Sequence, residues 1–220
     1  MPSPDRGGVA AAAAGEASME GKGALSDGFY EARRAELKAR LPKTSRYRHC
    51  LGVAETSERL AGLYGADRRK ARLAGLLHDW DKGYDDAGIR ERVAELGLEV
   101  DPFLLERMPQ LLHGPTAAVA LARRFPEIPP DVISAIEKHT AGATEMSDLD
   151  MIVYIADVIE PGRDFPGVDE LRALPEKESL EELFVDVAAH VFANLIDRRR
   201  FIHPKSLEVW NHCIARRAER

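Results

Sequence analysis

Leu76-Leu77-His78-Asp79-Trp80-Asp81-Lys82 is the stretch on which the reading of this chain turns. A short apolar-periodic segment, capped by Asp67 and carrying Leu73, Leu76 and Leu77, runs into it. Gly83 breaks the chain just beyond. Successive residues of an α-helix diverge by about 100°, so neighbouring imidazole and carboxylate groups reach one point only where a helix ends. The spacing predicts a helix that stops near His78 and Asp79 and presents both side chains to a common site.

Helical periodicity continues on both sides. Upstream, Ser26 is read as the N-cap of a helix to about Arg40, with Pro42 after it. Residues 44–64 carry Tyr47, Leu51, Ala54, Leu60, Ala61 and Tyr64 at three- and four-residue steps, and Gly65 stops them. Downstream, helices are expected at about 86–96, 115–124, 131–139 and 149–159. Pro115 is tolerated in a first turn. Residues 98–112, with Pro102 and Pro109, read as less regular, and 161–169 as a loop. Leu180, Leu183, Phe184, Val187, Val191 and Leu195 mark one amphipathic face. Pro204 opens a terminal helix through Leu207, Trp210 and Ile214. No strand alternation, internal repeat, dinucleotide-binding glycine fingerprint or phosphate-binding loop is visible. The fold class is all-α, a bundle of about nine or ten helices.

Composition narrows the partners. The chain has 220 residues, 45% hydrophobic and 31% charged, enough to bury a core without staples. Thirty-one Lys and Arg against 37 Asp and Glu leave a net charge of −6, which argues against nucleic acid held by bulk charge. No apolar run of about 18 residues exists, so no membrane partner is expected. Cys50 and Cys213 form no framework, which fits a cytoplasmic compartment. Residues 1–25 are Ala- and Gly-rich, lack a signal-peptide pattern, and read as a disordered extension to a single domain over 26–220.

Asp157 lies inside the apolar run from Met151 to Ile159. A carboxylate there must be paired or hold a metal. Taken alone, an ordinary Arg or Lys partner is the simpler reading. Together with His49, His78 and Asp79, it completes two imidazoles and two carboxylates in chain order. A nitrogen and oxygen set without thiolate suits iron, manganese or zinc and argues against a closed structural zinc site.

The strings around these residues carry a resemblance. Arg46-Tyr47-Arg48-His49-Cys50-Leu51-Gly52-Val53, the Leu76–Lys82 stretch, Leu112-His113-Gly114-Pro115 and His139-Thr140-Ala141-Gly142 are four of its motifs. Tyr154-Ile155-Ala156-Asp157-Val158-Ile159-Glu160-Pro161-Gly162-Arg163 and Phe201-Ile202-His203-Pro204 complete it. The set resembles the YqeK family of HD-domain symmetrical bis(5'-nucleosyl)-tetraphosphatases, over about residues 41–212. Many relatives carry two threonines after the histidine equivalent to His139, where this chain has Thr140-Ala141.

The resemblance implies an HD-domain helical bundle with a divalent metal, iron first and manganese, cobalt or zinc as alternatives, held by His49, His78, Asp79 and Asp157. It implies a small dinucleoside polyphosphate substrate, contacted by Arg46, Gly52, His113, His139, Thr140, Ala141, Gly142, Arg163, Phe201, Ile202, His203, Pro204 and Lys205. It also implies a homodimer. The expected reaction is attack of metal-bound hydroxide on an inner phosphorus of diadenosine tetraphosphate, releasing two ADP, with Asp79, His113, His139 and Lys82 in catalytic roles. His113 or His139 is the expected general acid. Hydrolysis of another nucleotide by the same fold, and a nucleotide-sensing module without turnover, stay open. His190, His212, Cys213, Cys50 and Trp210 read as packing residues.

Overall fold

The computed structural model describes residues 23–41 and 43–218. Among them the chain forms eleven α-helices, one 3-10 turn and no strand. The helices are α1 Asp27–Arg40, α2 Thr44–Tyr64, α3 Arg68–Leu77, α4 Asp86–Leu96, α5 Pro102–Arg107 and α6 His113–Arg124, with the 3-10 turn at Pro109–Leu111. They continue as α7 Pro130–Lys138, α8 Asp148–Ile159, α9 Val168–Arg172, α10 Leu180–Asp197 and α11 Pro204–Ala218.

The expected boundaries have visible causes. The Ser26 hydroxyl accepts from the Phe29 amide, and the Asp67 carboxylate from the Arg69 and Lys70 amides. Gly65 and Gly97 end α2 and α4 in left-handed conformation, with φ of 76° and 64°. The count exceeds nine or ten because α5 and α9, of six and five residues, are too short to show a period. α6 begins at His113, two residues before the expected start, because Pro115 falls in its first turn and needs no amide partner.

α8 is the central element. Every residue from Leu149 to Ala156 is buried, as expected of a helix that is apolar nearly all round. A reciprocal box between Ser147 and Asp150 opens it, and Lys138 Nζ meets the buried Asp150 carboxylate at 2.8 Å. α2, α3, α7 and α10 pack around α8. A smaller cluster of Ile89, Val93, Leu104, Met108 and Leu112 flanks this core and supports the start of α6.

Gly75 sets the approach of α2 and α3. A Cβ there would lie 2.9 Å from Ala54 Cα, 2.9 Å from Val53 O and 2.8 Å from Ser57 Oγ. At the N-terminal side, Ala24 is buried and Leu25 packs against the core. The reading of residues 1–22 lies outside the described residues.

Candidate metal centre and active site

Four histidines and two carboxylates converge where the helices meet. His49 comes from within α2, and His78 and Asp79 follow α3 directly. His113 opens α6, His139 follows α7, and Asp157 lies in the last turn of α8. The doublet thus stands at a helix end, as the 100° argument requires. Potential ligand atoms of His49, His78 and Asp79 lie within 4.8 Å of one another, as do those of His78, His139 and Asp157, and of Asp79, His113 and His139.

The imidazole orientations follow from their other nitrogen. The Nδ1 atoms of His78, His113 and His139 lie 2.7, 2.8 and 2.7 Å from the carbonyls of Gly75, Gln110 and Ile136. A carbonyl only accepts, so each Nδ1 carries the proton and each Nε2 is left with a lone pair. His49 Nδ1 is 3.0 Å from Glu160 Oε1. All four Nε2 atoms then face inward: His49 to His78 at 3.3 Å, and His113 to His139 at 3.0 Å. Asp79 lies between the pairs. Its Oδ1 is 2.9 Å from His113 Nε2, and its Oδ2 is 3.5 Å from His78 Nε2. Asp157 Oδ1 is 3.0 Å from His49 Nε2. Lone pairs facing lone pairs and carboxylates at such distances call for a cation among them. The residues fit a divalent metal, with no thiolate in the set.

The electrostatics agree. Burial opposes ionisation of Asp79, but the adjoining His78 and His113 imidazoles outweigh it and hold its pKa well below the usual carboxylate range. Burial likewise opposes ionisation of Asp157, and His49, His78 and Arg163 outweigh it. Burial lowers the pKa of His113, and lowers that of His139 further with the help of neighbouring imidazoles, so both stay neutral. At His49, burial is overcome by the bonds to Asp157 and Glu160, and the pKa is raised.

The cluster opens into a pocket of about 270 Å³ lined by Arg46, Asp79, Lys82, His113, His139, Thr140, Asp157 and Arg163, with Leu111, Tyr154, Val158 and Val191. Arg46 Nη1 meets Asp79 Oδ2 at 2.9 Å. Arg163 is bound to Asp157 Oδ1 at 2.5 Å and to the Asp157 carbonyl at 2.7 Å. Both readings of Asp157 are therefore present together: an arginine partner and a place in the ligand cluster. Lys82 Nζ lies 3.4 Å from His113 Nδ1, whose proton already goes to Gln110, so its ammonium remains directed at the pocket. Burial lowers the Lys82 pKa.

Other expected contact residues stand further out. Gly52 lies against Glu160, away from the pocket lining. Ala141 O accepts from Ser206 Oγ at 3.0 Å, and Gly142, at φ 71°, packs against Val209, so this turn joins the pocket to α11. Phe201, Ile202 and His203 lead into α11 and Pro204 and Lys205 open it, all outside the lining. Phe201 is exposed and meets exposed Phe103 edge-on, with centroids 5.5 Å apart. Sequence reasoning assigns no site role to Phe103, Tyr154 or Glu160. Tyr154 sits three residues before Asp157 and so shares its helix face, a signal that spacing alone offers.

A helical bundle with a cluster of histidines and aspartates that could hold a metal is the arrangement of an HD-type hydrolase, and residues 46–162 match the HD domain family. A crystal structure described as a predicted HD superfamily hydrolase involved in NAD metabolism, from Clostridium acetobutylicum, superposes with a TM-score of 0.78. It is 39% identical and covers 85% of this chain and 97% of its own. The symmetrical bis(5'-nucleosyl)-tetraphosphatase of Staphylococcus aureus is 35% identical over 80% of this chain and 89% of its own. The protein of the same name from Halalkalibacterium halodurans is 36% identical over 77% and 89%. The chain belongs to the HD-domain family, in the branch of the symmetrical bis(5'-nucleosyl)-tetraphosphatases.

Proposed function

We propose that this protein hydrolyses diadenosine tetraphosphate symmetrically into two ADP. The observation that carries the reading is the Asp79 carboxylate set between two imidazole pairs, in a pocket that also holds Arg46, Lys82 and Arg163. A pocket of about 270 Å³ is small for a dinucleotide, and it suits the central phosphates with the nucleosides outside. The exposed Phe103–Phe201 pair offers ring surface to a purine.

His49, His78, Asp79 and Asp157 would hold a divalent cation, and His113 and His139 with Asp79 would hold a second. When bound, such a cation polarises a phosphoryl oxygen and lowers the pKa of its water. Arg46, Lys82 and Arg163 bind and orient the phosphate oxygens. Water supplies the new P–O bond at an inner phosphorus, the bridging P–O bond breaks, and the departing ADP oxygen takes a proton. His113 and His139 are held neutral, with their Nδ1 protons on carbonyls, which favours Lys82 as the proton source. Arg163 gives Nε and one Nη2 proton to Asp157, which leaves further guanidinium donors for a phosphate oxygen.

The nitrogen and oxygen donors support iron, with manganese, cobalt or zinc as alternatives. A homodimer is supported by Leu207 and Ile214, exposed with half-covered Trp210 along one stripe of α11. No helix among the described residues is long and apolar enough to cross a membrane, and the free cysteines support a cytoplasmic setting.

The test is product analysis on diadenosine tetraphosphate with anaerobically iron-loaded protein and an Asp79→Ala control. ADP as sole product, lost in the control, is the expected result. AMP with ATP would overturn the symmetrical reaction. Nucleotide binding without turnover would move the reading to a sensor.

A further inference from the structure

Three of the four clustered imidazoles are oriented by the backbone. His78 and His139 follow helix C-termini and His113 opens a helix, and each Nδ1 uses the carbonyl three residues back. His49 has no such option. It lies within α2, where backbone carbonyls are taken up by the helical ladder. Its Nδ1 instead meets the buried carboxylate of Glu160, just past α8.

The space for that carboxylate is made by two glycines. A Cβ at position 52 would overlap Glu160 Oε2. A Cβ at position 162 would lie 2.9 and 3.0 Å from its two oxygens. The Gly162 amide donates to Oε2 at 2.5 Å. Arg172 of α9 then fixes the backbone that carries the group, donating to the carbonyls of Ile159, Glu160 and Arg163 at 3.0, 2.7 and 2.7 Å.

We propose that Glu160 is a positioning residue of the metal centre, orienting His49 through Nδ1, and that positions 52 and 162 are glycines to admit its carboxylate. A carboxylate in this place also makes the imidazole a stronger donor than a carbonyl does. Gly52 then acts through Glu160 and His49, without touching substrate. The short α9, through Arg172, becomes part of the support of the site.

The inference rests on the metal-centre reading and needs no substrate to be tested. Full-length wild-type protein, Glu160→Ala, Glu160→Gln and Gly52→Ala are compared for Mn²⁺ affinity by chelator competition, and for unfolding temperature without metal. Glu160→Ala and Gly52→Ala are expected to lose about 10–100-fold in affinity. Glu160→Gln, which retains an acceptor for His49, is expected to recover most of that loss. Wild-type affinity in all variants would overturn the proposal. Equal losses in the Gln and Ala variants, tracking a common fall in metal-free stability, would reduce Glu160 to packing and overturn it too. Wild-type protein that binds no Mn²⁺ would instead overturn the metal-centre reading itself.

Discussion

Replacing Gly75 by alanine tests whether the crossing of α2 and α3 sets both stability and metal binding. The new methyl would stand 2.9 Å from Ala54 Cα and Val53 O, where ordinary contact begins at 3.4 Å. Relief requires the helices to part by roughly 0.5–1 Å, because the obstructing atoms are backbone. Overpacking of this kind costs about 1–3 kcal/mol. Alanine returns roughly 1 kcal/mol of helix propensity. Because the obstructing atoms are backbone, the cost falls in the upper part of that range, about 2–3 kcal/mol, so a net loss of about 1–2 kcal/mol is expected, or a fall of roughly 2–8 °C in unfolding temperature for a domain of this size. The same movement separates His49 on α2 from His78, whose Nε2 atoms are now 3.3 Å apart. Ligand distances tolerate only about 0.2 Å, so Mn²⁺ affinity should fall by roughly tenfold or more. Differential scanning calorimetry with and without Mn²⁺, alongside chelator competition, reads both effects. A Gly75→Ala variant with unchanged affinity and equal or higher unfolding temperature would refute the argument.

Three further perturbations have defined outcomes. Stripping bound metal with chelator should lower the unfolding temperature, since a ligand at a thousand times its Kd contributes about 4 kcal/mol; an unchanged calorimetric trace would count against a resident ion. In metal-free protein, His113 and His139 titrate below their unfolded value of about 6.5. The unfolded chain therefore binds more protons just below that value, and their contribution is present above about pH 6.5 and lost as pH falls through the folded values. Urea unfolding of His139→Asn should show a flatter decline between about pH 7.5 and 5.5 than wild type, and a parallel decline would remove His139 from the account. Asp81 is fully buried and binds Arg40 at 3.0 Å and Arg92 at 3.2 Å. Asp81→Ala should cost on the order of 2 kcal/mol in urea melts, less than a wholly buried pair because both arginines reach solvent; a loss below about 0.5 kcal/mol would show that they re-solvate freely.

The helices and the ligand cluster are legible in the sequence because their signals are local. Ser26, Asp67, Gly65 and Gly97 punctuate the chain, and histidine beside aspartate at a helix end carries its own geometric restriction. α5 and α9 escape notice because five or six residues complete too little of a period. Glu160 gives no sign of its role, since its link to His49 spans 111 positions and depends on the α2–α8 packing. The bond of Arg163 to Asp157 is equally hidden, because both a solvated arginine and a phosphate-binding one fit a Pro/Gly loop. His113 is placed at the site by its motif alone, and the structure buries it through the cluster around Leu112, a tertiary effect that its glycine and proline neighbours do not announce.

The six clustered side chains come from five separate segments, and this has a consequence for the unfolded chain. An ion held by His49 and Asp157 joins positions roughly a hundred residues apart, and it withdraws loop freedom in the manner of a disulfide. Both cysteines are free, so such an ion would be the tie that spans the bundle. Metal supply would then govern how much of this chain survives proteolysis as well as how fast it turns over substrate. A cell short of the metal would lose the protein along with its activity.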